Sequence, residues 1–304
     1  MTAWQDYLMT PVIGGEGRVV SHTTLKLRQH NRLKFNANIV SVFVIMNETK
    51  ILALFGYPSW SIPAEQQHGL LLVASVLFVV AILYAAWFSY REQSLYPLFL
   101  FIGAGIGIIY EPLGDVLTKV AYAPIDQVSL FTSFGRPIPL WLAPNYFFFF
   151  SLPVILLLQF VVREGTSPKK WWLTYLGIVA FVTLFEQPGI ANESWRYYGT
   201  HEAFAINTYP VWVGFVNAQS LFVIASGVYF LRRNVLSEKQ SFLFVFLVPI
   251  LFVGSHVAVS MPISSATFTT QNLVIVNAAA LLTIFMACLT VWVSYKLVTR
   301  KDAE

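Results

Sequence analysis

The chain of 304 residues is 57% hydrophobic and 16% aromatic, with 11% charged residues and a net charge of +4. A soluble domain carries about 25% charged residues, so this composition describes one all-α, polytopic membrane bundle rather than soluble domains. The cations fall mostly in short inter-helix segments and tails, which excludes a polybasic nucleic-acid surface. The single cysteine, Cys288, excludes a disulfide framework and a cysteine-based zinc site.

A spanning helix needs about 20 mostly apolar residues. The first 30 residues lack a continuous apolar core, so no signal peptide is expected. The first apolar stretch, 35–57, is interrupted by Asn47, Glu48, Thr49 and Lys50, which are expensive at a bilayer centre. Within an N-terminal region of 1–67, this stretch lies in the interface, re-enters or spans imperfectly. Seven runs then make up a transmembrane bundle over 68–298, ahead of a tail at 299–304. They are 68–90, 95–111, 139–162, 171–186, 209–231, 241–260 and 272–295. The second and fourth are short, and each ends in a glutamate, Glu111 and Glu186.

The segments between runs set the expected orientation. One side holds Arg91, Arg163, Lys169, Lys170, Arg232, Arg233, Lys239, Lys296, Arg300 and Lys301, and the other holds Lys119, Arg136 and Arg196. The basic side is expected to be cytoplasmic, with the C-terminus inside.

Chain direction also predicts where polar residues meet. Glu111 and Glu186 end their runs at the poorly basic face. Asn145 and Asn217 lie early in the third and fifth runs. His256 is placed four residues from the end of the sixth, and Asn272 and Asn277 open the seventh. Six helices thus put polar groups at one depth, whereas the opposite halves are nearly free of them, Gln159 excepted. Ionisable groups in hydrocarbon usually face a bundle interior or a wet cavity, so one cavity open to one face is expected.

Glu111 and Asp115, in GIGIIYEPLGD, are four residues apart and share a face if the helix runs on through Pro112; a residue before proline is biased against helix. Otherwise they are solvated acids at a helix end. Glu186, in LFEQPG, is either a second buried carboxyl or a helix-end acid paired with a nearby arginine. Carboxyl groups in apolar surroundings can hold a proton and act as general acids, and two in different surroundings can divide acid and base roles. This makes Glu111, Glu186 and Asp115 the catalytic candidates. Arg136, in FGRPIPLW, either pairs with one of these acids or holds a substrate oxygen. Asn145, His256, Asn217 and Asn277 are candidate substrate contacts. So are Trp195 and Tyr198, from a polar-aromatic loop that also contains His201 and Glu202. The bland readings are a structural hydrogen bond for His256 and an interfacial belt for the aromatics. The five histidines have no metal-ligand spacing, so no metal is expected. There is no GxGxxG or GxxxxGK[ST] motif, and no cofactor is expected.

YEPLGD at the end of an early span, GRPIPLW opening the next and a later acidic-aromatic loop resemble the spirocyclase family, membrane cyclases of the avermectin-pathway type. The likeness runs from about residue 70 onward. It implies cofactor-free, dehydrating cyclisation of a hydrophobic polyketide dihydroxy-ketone to a spiroketal. The family supplies no catalytic set here, so the site candidates rest on physical grounds alone. Two alternatives stand beside this reading. One is a membrane terpene cyclase using the same buried acids. The other is a transporter or binding protein for a hydrophobic small molecule or lipid, which would favour polar groups on both sides of the midplane and inverted repeats.

Overall fold

The computed structural model describes residues 57–163, 165–198 and 203–300. The interrupted stretch at 35–57 lies outside them except for Tyr57, as do His201, Glu202 and the tail residues 301–304. The described residues form an all-α bundle in which seven segments are long and apolar enough to cross a membrane.

The first span is α1 (Ala64–Glu92). The second combines α2 (Tyr96–Ile106), a 3₁₀ turn over Gly107–Tyr110 and α3 (Glu111–Thr118). The third is α4 (Leu142–Phe149) followed by α5 (Leu152–Phe160), and the fourth is α6 (Pro168–Ala191). The fifth is α7 (Val211–Asn234). A 3₁₀ turn, Glu238–Leu243, leads into α8 (Phe244–Thr269), which completes the sixth span, and α9 (Leu273–Thr299) is the seventh.

All seven expected runs are present, but several ends move. The second and fourth spans are not short. Pro112 falls at the start of α3, where its missing N–H costs no helical hydrogen bond; the tighter 3₁₀ turn before it absorbs the discontinuity, and Glu111 stays in helical geometry. Pro188 likewise sits inside α6, which continues to Ala191. The sixth helix extends nine residues past 260 to Thr269, through Pro262. This puts His256 in mid-helix instead of close to its end.

Large side chains stand exposed on the outer spans, including Leu72 and Leu83 on α1 and Val274 and Phe285 on α9. In water such surfaces would be a liability; against lipid tails they are matched to the solvent. The most enclosed helix is α7, which packs against α5, α6, α8 and α9. Gly103 lets α2 approach α8 closely, since a Cβ there would lie 2.6 Å from the Phe244 carbonyl oxygen.

Short strands cover the end of the bundle that carries the acids. β1 (Val120–Tyr122) pairs antiparallel with β4 (Trp195–Tyr197), in the register Tyr122 to Trp195 and Val120 to Tyr197. β2 (Ser129–Ser133) and β3 (Arg136–Pro139) form a hairpin. Its turn residues, Phe134 and Gly135, both have positive φ, the geometry that suits right-twisted strands. β5 (Ala205–Ile206) and β6 (Tyr209–Pro210) form a second such hairpin just ahead of α7, through Asn207 and Thr208. Tyr57 holds β1 from behind: its hydroxyl donates to the Tyr122 carbonyl at 2.8 Å and accepts from the Tyr122 N–H at 3.0 Å.

Candidate functional site

One partly open cavity of about 120 Å³ lies beneath the β1–β4 ribbon. Spans two to six all contribute to its wall. Glu111 and Asp115 come from the second, Asn145 and Tyr146 from the third, Glu186 from the fourth, Asn217 from the fifth and His256 from the sixth. Seven helical residues separate Glu111 from the end of α3, so it lies about 10 Å down the helix.

Strand periodicity builds the roof. Alternate residues of a strand point to opposite faces, and Val120, Tyr122, Trp195 and Tyr197 are all lining residues. Ala121 and Arg196 occupy the other face. There Arg196 pairs with Glu193 at 2.7 Å and stacks on Trp60.

Two of the three carboxyls are held by aromatic donors. Tyr122 donates its hydroxyl to Glu111 Oε1 at 2.5 Å, and Tyr146 donates to Glu111 Oε2. Trp195 Nε1–H donates to Glu186 Oε2 at 2.8 Å, and the Tyr197 hydroxyl reaches the same oxygen at 3.4 Å. Burial, and then the charge of Glu111, push the Tyr122 phenol well above its ordinary value of 10.0. Burial and Glu186 do the same to Tyr197. Both therefore remain O–H donors at any ordinary pH.

Asp115 is the exception. It is 1% exposed, and among the described residues neither of its carboxyl oxygens has a hydrogen-bond partner. The Tyr110 hydroxyl, Trp141 Nε1 and His256 Nδ1 are also buried without partners, and all three residues line the same cavity. Buried polar groups are nearly always satisfied in folded proteins, and each unsatisfied one costs about 1–3 kcal/mol. Four such residues line the one cavity, where water or a polar group could partner them. Among the described residues no cation pairs with any of the three acids. No group of three His, Cys, Asp or Glu side chains there is placed to hold a metal ion.

Three candidate contacts fall elsewhere. Arg136 is buried but is not a lining residue. Its Nη1 donates to the Val120 carbonyl at 2.8 Å and its Nη2 to the Tyr198 hydroxyl at 2.5 Å, with its guanidinium 4.7 Å from the Tyr57 ring centroid. It pairs with neither glutamate; from β3 it braces β1 through the Val120 carbonyl. Tyr198 belongs to that brace. Asn277 is not in the wall either, and Asn272 caps α9 through the Val274 N–H. The seventh span thus adds nothing to a chamber expected to draw on six helices.

The aromatic residues Tyr110, Tyr122, Trp141, Tyr146 and Tyr197 were not legible as site members in a chain so rich in such residues. Only the period-2 step from Trp195 to Tyr197 hints at one of them, Tyr197. Compared with protein-family models, curated proteins and solved structures, the chain matches none. Fold and cavity together define a multi-helix bundle, apolar enough to span a membrane, with an acid-rich internal chamber.

Proposed function

We propose that this protein is a membrane-embedded cyclase that closes a spiroketal, by acid–base dehydration without a cofactor, on a hydrophobic polyketide-like substrate. One observation carries the reading: Asp115 is buried with both oxygens unpartnered, in the same cavity as two carboxyls fixed by Tyr and Trp donors. The resemblance of YEPLGD and GRPIPLW to the spirocyclase family supports the reaction type.

In the proposed reaction, one substrate hydroxyl adds to the ketone to form a hemiketal. Asp115 protonates the hemiketal hydroxyl, which leaves as water and gives an oxocarbenium ion. Glu111, held by its two tyrosines, offers negative charge to that cation, and the faces of Tyr110 and Phe252 add their π density. The second hydroxyl then attacks the cationic carbon, and its proton returns to the Asp115 carboxylate. Glu186 or His256 Nδ1 provides a second acceptor. The balance is one water lost per spiroketal formed.

Cavity size bears on what is held. An apolar cavity of about 150 Å³ takes a benzene ring. At about 120 Å³ the chamber is smaller than that, so it encloses at most the reacting carbon and part of one ring, and the rest of the substrate extends through its open side. The aromatic lining also favours a second reading, a terpene cyclase in which the same acids protonate an alkene or epoxide. In membrane terms, the arginine- and lysine-rich end of the bundle faces the cytoplasm, with the C-terminus, and the chamber opens toward the other side.

Solvent extraction of the purified full chain, followed by mass spectrometry, tests the reading. A co-purified polyoxygenated polyketide, or its spiroketal, is the expected result. A hydrocarbon terpenoid would replace the spiroketal reading with the terpene one. A ligand released chemically unchanged after incubation would point to binding or transport.

A further inference from the structure

At the opposite end of the bundle, a recess of about 460 Å³ lies among the ends of four spans. Arg91 comes from the first span, Tyr96 from the second, Arg163 from just beyond the third, and Arg232 and Arg233 from the fifth. We propose that this recess binds the phosphate group of an anionic phospholipid. The inference is independent of the cyclase reading and concerns a different part of the molecule.

An excess of basic residues at one face is ordinary in membrane proteins. What is not ordinary is their selection and convergence. That face carries both lysines and arginines, yet among the described residues the lining of the recess takes arginines alone as its cations, four beside one acid, Glu92. An arginine fork matches phosphate oxygens two at a time, whereas a lysine offers a point charge. Two of the four are held in place before any ligand arrives. The Arg232 guanidinium lies 3.4 Å from the Tyr96 ring centroid, and Arg233 Nη1 donates to the Tyr229 hydroxyl at 3.2 Å. Such fixing lowers the entropy lost on binding.

The rest of the lining separates a lipid from a free anion. Phe88, Leu158 and Val162 give the recess an apolar side. It lies at the basic ends of the spans, the level at which a lipid headgroup would sit. Its volume is also in the range of about 300–1,000 Å³ typical of organic ligand sites, larger than inorganic phosphate needs. Basic pockets between spans at this face are a known mode of anionic headgroup recognition.

Native mass spectrometry of the full chain in mild detergent, titrated with phosphatidylglycerol or phosphatidylcholine, tests the proposal. Wild type is expected to retain phosphatidylglycerol preferentially. Arg91→Gln with Arg163→Gln, both at exposed positions, should reduce that retention about tenfold or more, the loss of at least one charge-assisted hydrogen bond. Lys169→Gln with Lys239→Gln removes the same charge from the same face outside the recess and should change it little. Arg91→Lys with Arg163→Lys keeps the charge, removes the forks and should lose most of the preference. Equal losses in the Arg→Gln and Lys→Gln pairs would mean diffuse surface attraction and overturn the site. Inorganic phosphate binding to the same arginines, with no preference for phosphatidylglycerol over phosphatidylcholine, would overturn the lipid.

Discussion

Tyr122 donates its hydroxyl to Glu111 across 2.5 Å, tying the roof of the chamber to the helix that carries two of its acids. Because Tyr57 fixes the Tyr122 backbone and Arg136 braces β1 through Val120, that contact is set by groups outside the cavity. Tyr122→Phe removes one of the two donors to Glu111. Hydrogen bonds to charged groups contribute about 1.5–3 kcal/mol, so a fall in thermal unfolding midpoint and a drop of about tenfold or more in product formation are expected. Tyr146→Phe should act alike, and the double variant should lose less than the sum, because both donors serve one carboxyl. Strict additivity would show that Glu111 is not their shared partner.

Asp115 gives the sharpest separation of stability from function. A buried carboxyl with no partner costs the fold about 1–3 kcal/mol, a cost of the kind that active sites carry in exchange for function. Asp115→Asn should therefore abolish turnover while leaving the unfolding midpoint unchanged or higher. A variant with normal turnover would remove Asp115 from the chemistry; one that is inactive and strongly destabilised would make it structural.

The seven spans were legible because about 20 apolar residues in a row admit few other solutions. Their ends were not. The second and fourth apolar runs end at Glu111 and Glu186, yet both helices go on: Pro112 falls where a helix needs no N–H, and Pro188 is carried within α6. The run of α8 through Pro262 to Thr269 moved His256 to mid-helix without removing it from the chamber, because chain direction still sets which half of the bundle each polar group occupies. Arg136 shows the limit of such reasoning. Depth placed it near the acids, but the turn at Phe134 and Gly135 decides which side of the ribbon its side chain takes. The partnerless state of Asp115 depends on contacts among distant segments, which no local pattern encodes.

The roof tyrosines lead to a pH prediction. A phenol with a raised folded-state pKa contributes stability that is fully present below its unfolded value, near 10, and is lost as pH rises through the folded value. Tyr122 and Tyr197 both lie well above 10.0 when folded. Difference spectra between wild type and Tyr122→Phe or Tyr197→Phe should show no phenolate absorbance from these residues below about pH 10. Their signals should emerge only together with alkaline unfolding. Ionisation of either tyrosine near pH 9 in the folded protein would contradict the buried, acid-facing placement.

Gly189 allows the fourth wall to be tested without touching a polar group. A Cβ at this position would lie 1.8 Å from Trp195 Cη2 and 2.2 Å from Cζ2, so the indole occupies space that only glycine leaves open. The ring is rigid, and its Nε1–H is bonded to Glu186 at 2.8 Å. Gly189→Ala should therefore displace Trp195, break that bond and cost about 1–3 kcal/mol by overpacking. Product formation should fall with it, since Glu186 loses its best-placed donor. Trp195→Phe removes the donor and also shrinks the ring, so adding Gly189→Ala to it should cost far less than in wild type. A full additional loss in the double variant would show that the alanine acts on α6 itself and not through the indole above Glu186.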